Sequence, residues 1–145
     1  MKTKFYFSYG MNTNPHEMAF RCPKATPIGR AVLPGYRFEF NSFATIIPDR
    51  DSQVEGVLWT ITPSDEAALD VLEGYPSFYR KQQVKVNQDV DYIAMTYIMN
   101  RNGNYPPSDG YYSMLSEGYE HFGLSQRQLL NALPTKAILM PESFD

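Results

Sequence analysis

The chain has 145 residues, enough for one domain (expected to span 1–145) with a buried core. Thirteen basic against sixteen acidic residues give a net charge of −3 with no basic stripe, so nucleic acid and anionic membrane surfaces are poor partners. The single cysteine, Cys22, excludes an internal disulfide and argues against a thiolate metal cluster, and no apolar run approaches the ~18 residues of a membrane span. Met1-Lys2-Thr3-Lys4 leads straight into a strand, so the expected location is cytoplasmic.

Residues 4–9 form a short aromatic run that ends at Gly10 and predicts the first strand. Asn14-Pro15-His16-Glu17 reads as a capping box with proline at the first helical position, starting a short helix towards Phe20. In Tyr36-Arg37-Phe38-Glu39-Phe40 aromatic and charged residues alternate, the period of a half-buried strand. Residues 53–61 predict another strand, with Trp59 as a core residue. Thr62-Pro63-Ser64-Asp65 supplies an N-cap, a first-turn proline and an acid at N3, opening a helix over 63–73 that Gly74 and Pro76 end. Two further strands cover 79–86 and 90–99, around a turn at Gln88-Asp89. Residues 101–108, with one glycine and two prolines, are the most loop-like stretch, a surface connection able to border a site. A helix over 109–121 precedes Gly123, and Ser125-Gln126-Arg127-Gln128 reads as a capping box for a last helix that stops before Pro134. Strands first and helices later indicate α+β, with a small, curved, barrel-like mixed or antiparallel sheet.

Two places can carry chemistry. In the second helix Leu69, Leu72 and Glu73 fall at i, i+3 and i+4, so a carboxylate shares the face expected to point inward, at the end of the helix. Burial beside leucines raises a carboxyl's pKa towards the range useful for moving protons near neutrality. The strand-to-loop junction Tyr9-Gly10-Met11-Asn12, just ahead of a helix start at Asn14, leaves backbone N–H groups able to hold a carboxylate or phosphate. His16 and His121 have no partner at ligand spacing, so both are expected at the surface and no metal is assigned. Ser8 and Cys22 lack a histidine partner for nucleophilic work, and Cys22 reads as a buried apolar thiol.

In order and spacing, these segments resemble the γ-glutamylcyclotransferase family, in particular its small AIG2-like members. The residues that carry the resemblance are Tyr6-Phe7-Ser8-Tyr9-Gly10-Met11-Asn12, Arg21-Cys22-Pro23, Leu33-Pro34-Gly35-Tyr36-Arg37-Phe38 and Val54-Glu55-Gly56-Val57-Leu58-Trp59. They continue through Leu69-Asp70-Val71-Leu72-Glu73-Gly74-Tyr75-Pro76, Tyr79-Arg80 and Pro107-Ser108-Asp109-Gly110-Tyr111. The resemblance implies that Tyr9, Gly10, Met11 and Asn12 anchor the α-carboxylate of a γ-glutamyl group, that Glu73 is the catalytic acid/base, and that Tyr111 borders the substrate. It further implies that the substrate's own α-amine attacks its γ-carbonyl, releasing 5-oxoproline and an amino acid or amine. No cofactor is expected, and the partner is the small-molecule γ-glutamyl substrate, bound by a monomer or homodimer. The family commonly has serine where this chain has Met11, which keeps the backbone donor and loses a hydroxyl. Two alternatives remain at this point: a γ-glutamylamine cyclotransferase with a plain amine as leaving group, and a non-catalytic module that binds a γ-glutamyl metabolite.

Overall fold

The structure, a computed structural model, describes residues 2–134. Five strands, β1 (Lys4–Ser8), β2 (Thr26–Asn41), β3 (Phe43–Ile61), β4 (Tyr79–Asn87) and β5 (Asp91–Met99), close into a barrel in the order β1-β3-β2-β4-β5. All neighbours run antiparallel except β1 and β5, which meet in parallel with Tyr6 opposite Met95 and complete the closure. Helices α1 (Pro15–Arg21), α2 (Pro63–Glu73), α3 (Asp109–Phe122) and α4 (Gln126–Asn131) flank it. The α+β barrel expected from the sequence is therefore the fold.

The largest departure from the sequence reading is the length of β2 and β3. Residues 26–35 contain Pro27, Gly29, Pro34 and Gly35, which look like strand ends. In the structure they are bulges: the register against β3 shifts between Pro27 and Gly29 and again between Pro34 and Tyr36, with Gly29 at φ 133 and Gly35 at φ 86. Such bulges bend a strand without ending it, which a narrow barrel requires. The polar stretch 48–52 likewise stays in β3, tied to β2 by Arg37, which bonds Glu39 at 2.6 Å and Asp49 at 2.9 Å. The pair turns over at Ser42 (φ 65), whose N–H donates to Tyr105 O at 2.9 Å.

Phe7, Phe40, Ile46, Val54, Leu58 and Ile61 of the barrel strands are fully buried, and Leu69, Leu115, Tyr119 and Leu129 bring the helices onto them. Two glycines set the distances that matter for the site. A Cβ on Gly56 would lie 2.3 Å from Ser8 O, so only glycine lets β3 cross this close to the end of β1. A Cβ on Gly118 would lie 2.5 Å from Thr13 Oγ1 and 2.8 Å from Asn14 N, so α3 packs directly on the turn that follows β1.

The helix caps follow the sequence in part. Thr62 and Asp65 form the full reciprocal box, Asp65 N donating to Thr62 Oγ1 and Thr62 N to Asp65 Oδ2. Asn14 caps α1 by accepting from His16 N and Glu17 N, but Glu17 turns away to pair with Arg21 at 3.1 Å. Ser125 makes no side-chain cap: Gln128 instead reaches β3, accepting from Glu55 N and donating to Glu55 O, so tertiary bonds replace the expected box.

Candidate active site

A cavity of about 220 Å³ opens at one end of the barrel, between the end of β1, the last turn of α2 and the first turn of α3. Tyr9, Gly10, Met11, Asn12, Glu73 and Tyr111 all line it, although the chain separates the first and last of these by about a hundred positions. Residues absent from the sequence-based set line it too, among them Arg21, Tyr6, Tyr79 and Tyr97.

The turn after β1 is a single 3₁₀ turn, Met11–Thr13, closed by Thr13 N to Gly10 O and Asn14 N to Met11 O, each 3.0 Å. Its leading N–H groups have no acceptor inside the turn, as at any helix start. Gly10 is required sterically, because a Cβ there would sit 2.9 Å from Ala44 Cβ and 3.3 Å from Tyr111 Oη. The turn is braced from below: Tyr9 O accepts from Tyr119 Oη at 2.6 Å, and Ser8 Oγ donates to Asn12 O at 3.0 Å while accepting from Trp59 Nε1 at 2.9 Å. Ser8 is thus a structural hydroxyl, and Trp59 is core as expected.

Asn12 is the hub of the polar wall. Arg21 Nη1 donates to its Oδ1 at 2.8 Å, while its Nδ2 donates to Tyr6 Oη at 3.0 Å and to Glu73 Oε2 at 3.3 Å. A guanidinium can only donate, so it orients the amide and turns both Nδ2 protons towards Tyr6 and Glu73. Arg21 is itself held by Glu17. Glu17 and Arg21 stand at i,i+4 on α1, a spacing that explains their own contact but carries no local sign of Asn12.

Glu73 ends α2, where Gly74 caps the helix in the left-handed conformation at φ 64. Burial pushes its carboxyl up from the ordinary 4.5 to about 7, against the opposing pull of the Arg21 charge and the Asn12 hydrogen bond. The inward face read from sequence needs correction: Leu69 is fully buried, but Leu72 is 45% exposed. Helix α2 overhangs the barrel mouth, so its last turn faces the cavity and its rim rather than the core.

The tyrosines are neutral donors. Desolvation raises Tyr6, Tyr9, Tyr79, Tyr97 and Tyr111 well above the usual phenol range. Tyr9 Oη donates to Tyr97 O, Tyr79 Oη to Ala44 O and Tyr97 Oη to Asp70 Oδ1, so these three protons are spent within the protein. Tyr111 and Tyr6 differ: the Tyr111 oxygen accepts from Ala44 N and the Tyr6 oxygen from Asn12 Nδ2, each at 3.0 Å, which leaves both O–H groups available to the cavity. The loop 101–108 does not line the cavity; it touches the site only through the Ser42 turn and by leading into α3. His16 and His121 are exposed, and burial pushes the Cys22 thiol up to about 11, in keeping with an inert sulfur.

A sequence model of the family described as gamma-glutamyl cyclotransferase, AIG2-like, matches residues 6–119, which includes every cavity residue discussed above. The chain belongs to the γ-glutamyl cyclotransferase, AIG2-like family. It is an enzyme of this type, and its similarity to known members is consistent along most of its length. The gamma-glutamylcyclotransferase of Mus musculus is 28% identical over 140 residues, covering 86% of this chain and 74% of that protein. Its Homo sapiens counterpart is 28% identical over 134 residues, covering 82% and 71%. A solved structure of a gamma-glutamyl cyclotransferase superposes with a TM-score of 0.82 at 26% identity, covering 92% of this chain and 89% of that one. Among the described residues no helix is long and apolar enough to cross a membrane.

Proposed function

We propose that this γ-glutamyl cyclotransferase closes a γ-glutamyl group on itself, releasing 5-oxoproline and an amine, with Glu73 as general base and then general acid. The observation that carries this reading is a single carboxyl held at about 7, hydrogen-bonded to Asn12 and facing the same cavity as a donor-rich turn. Near neutrality such a group is populated in both protonation states, as a residue that takes and returns one proton must be.

In the proposed sequence the turn at Gly10, Met11 and Asn12 receives the substrate's α-carboxylate through its leading N–H groups. This anchors the chain so that the α-amine folds back onto the γ-carbonyl, a positioning effect. Ionised Glu73 takes a proton from the amine as its nitrogen bonds to the carbonyl carbon. Tyr111 O–H and the remaining turn N–H groups, which face the same cavity, are the donors assigned to the oxygen that gains charge. When the C–N bond to the leaving group breaks, protonated Glu73 returns the proton to the departing nitrogen, so the enzyme ends as it began. The nucleophile belongs to the substrate, in keeping with the Ser8 hydroxyl being engaged by Asn12 O and Trp59 Nε1 and with Cys22 being buried.

The test is mass-spectrometric detection of 5-oxoproline from a γ-glutamyl dipeptide and γ-glutamylamine panel, with wild type and Glu73→Gln side by side. Glu73→Gln should lose roughly 10²–10⁴-fold in turnover with an unchanged circular dichroism spectrum. Near-normal turnover in Glu73→Gln would sink the assignment.

A further inference from the structure

We propose that Tyr6 is a further catalytic residue, its phenol O–H donating to the γ-carbonyl oxygen as that oxygen gains charge; this rests on the cyclotransferase reading above. Among the described residues that line the cavity, Tyr9, Tyr79 and Tyr97 spend their protons on Tyr97 O, Ala44 O and Asp70 Oδ1. Tyr6 does not. Its oxygen accepts from Asn12 Nδ2 at 3.0 Å, and among the described residues its own proton has no acceptor. Tyr6 is only 3% exposed, and a donor withdrawn from water without a partner costs stability, so the proton is aimed at an acceptor that the protein does not supply.

The phenol is fixed and polarised. Tyr6 lies in β1 between Trp59 of β3 and Met95 of β5, and its ring meets that of Tyr97 edge-on at 6.0 Å. Arg21 Nη1 donates to Asn12 Oδ1 at 2.8 Å and Asn12 Nδ2 donates to Tyr6 Oη, so a series of donors starts at a cation and ends at the Tyr6 proton. Each bond in such a series strengthens the next. Burial, and then the charge of Glu73, keep the phenol protonated.

Position and charge select the oxygen. One amide nitrogen serves both Tyr6 Oη, at 3.0 Å, and Glu73 Oε2, at 3.3 Å. Its two N–H bonds diverge by about 120°, so the two oxygens lie roughly 5 Å apart. That span suits the reacting centre, because the nitrogen that Glu73 serves and the oxygen that Tyr6 serves are joined to one carbon. The substrate's α-carboxylate suits it less well: it is anionic throughout, including while Glu73 is ionised. The γ-oxygen becomes negative only as Glu73 accepts a proton and turns neutral. Tyr6 therefore favours the transition state over the bound substrate and joins Tyr111 on that oxygen.

The test is Tyr6→Phe, which removes one oxygen and keeps the ring on Tyr97, assayed by 5-oxoproline release from whichever γ-glutamyl compound of the panel wild type turns over fastest. Turnover should fall about 10²–10³-fold with KM within about threefold of wild type and a cooperative urea transition retained. The acidic limb of kcat/KM should stay in place. The Asn12 bond holds Glu73 down, so a merely structural loss that displaced Asn12 would move that limb to higher pH. Wild-type kcat, a raised KM at unchanged kcat, or a displaced limb would each overturn the donor role. If wild type released no 5-oxoproline from any compound, the cyclotransferase reading itself would fall, and the role of Tyr6 with it.

Discussion

Replacing Glu73 by glutamine removes an ionisable group while keeping an oxygen that can accept from Asn12 Nδ2, so the change isolates the cost of holding that acid in the fold. The carboxyl titrates at about 7 in the folded chain against an ordinary value of 4.5. At about 1.4 kcal/mol per tenfold, that displacement corresponds to at most about 3.5 kcal/mol, an upper bound because Glu73 is only partly buried. Below pH 4.5 the folded and unfolded chains both hold the proton and the term vanishes. From there to about 7 the unfolded chain ionises while the folded chain does not, so wild type loses stability as pH rises, and above about 7 the loss is constant. The stability advantage of Glu73→Gln over wild type should therefore be larger at pH 8 than at pH 4 by up to about 3.5 kcal/mol, or roughly 7–14 °C in melting midpoint. Urea unfolding of both proteins at the two pH values measures it. A difference that does not change with pH, or one that shrinks as pH rises, would refute a burial-raised Glu73.

Two other perturbations probe the same framework. Arg21→Met removes the charge that holds Glu73 down, so its titration should move above 7 and the acidic limb of kcat/KM should move to higher pH; an unmoved limb would show that the Arg21 charge does not hold Glu73 down. Gly56→Ala places a methyl 2.3 Å from Ser8 O and 2.6 Å from the Phe7 ring, so β1 or β3 must shift; about 1–3 kcal/mol of stability should be lost in urea unfolding, and wild-type stability would contradict the close strand crossing.

The sequence by itself determined the local events. Thr62-Pro63-Ser64-Asp65 specifies where α2 starts and Gly74 where it ends, because N-caps and left-handed glycines act within a few residues. The order of motifs was equally legible, and with it the family, since Gly10, Glu73 and Tyr111 can be named without coordinates. The full lengths of β2 and β3 were not, because the same glycines and prolines serve either as strand ends or as bulges, and only pairing with a neighbouring strand decides between them. The polar wall was also beyond reach. Nothing local places Arg21 beside Asn12, and only the fold shows that Ala44 N–H donates to the Tyr111 oxygen. Barrel closure, which joins the end of β1 to the ends of α2 and α3, turns those separate side chains into one cavity. Burial at that junction is what moves the Glu73 carboxyl to about 7, a property no stretch of sequence carries because it belongs to the solvent that the fold excludes.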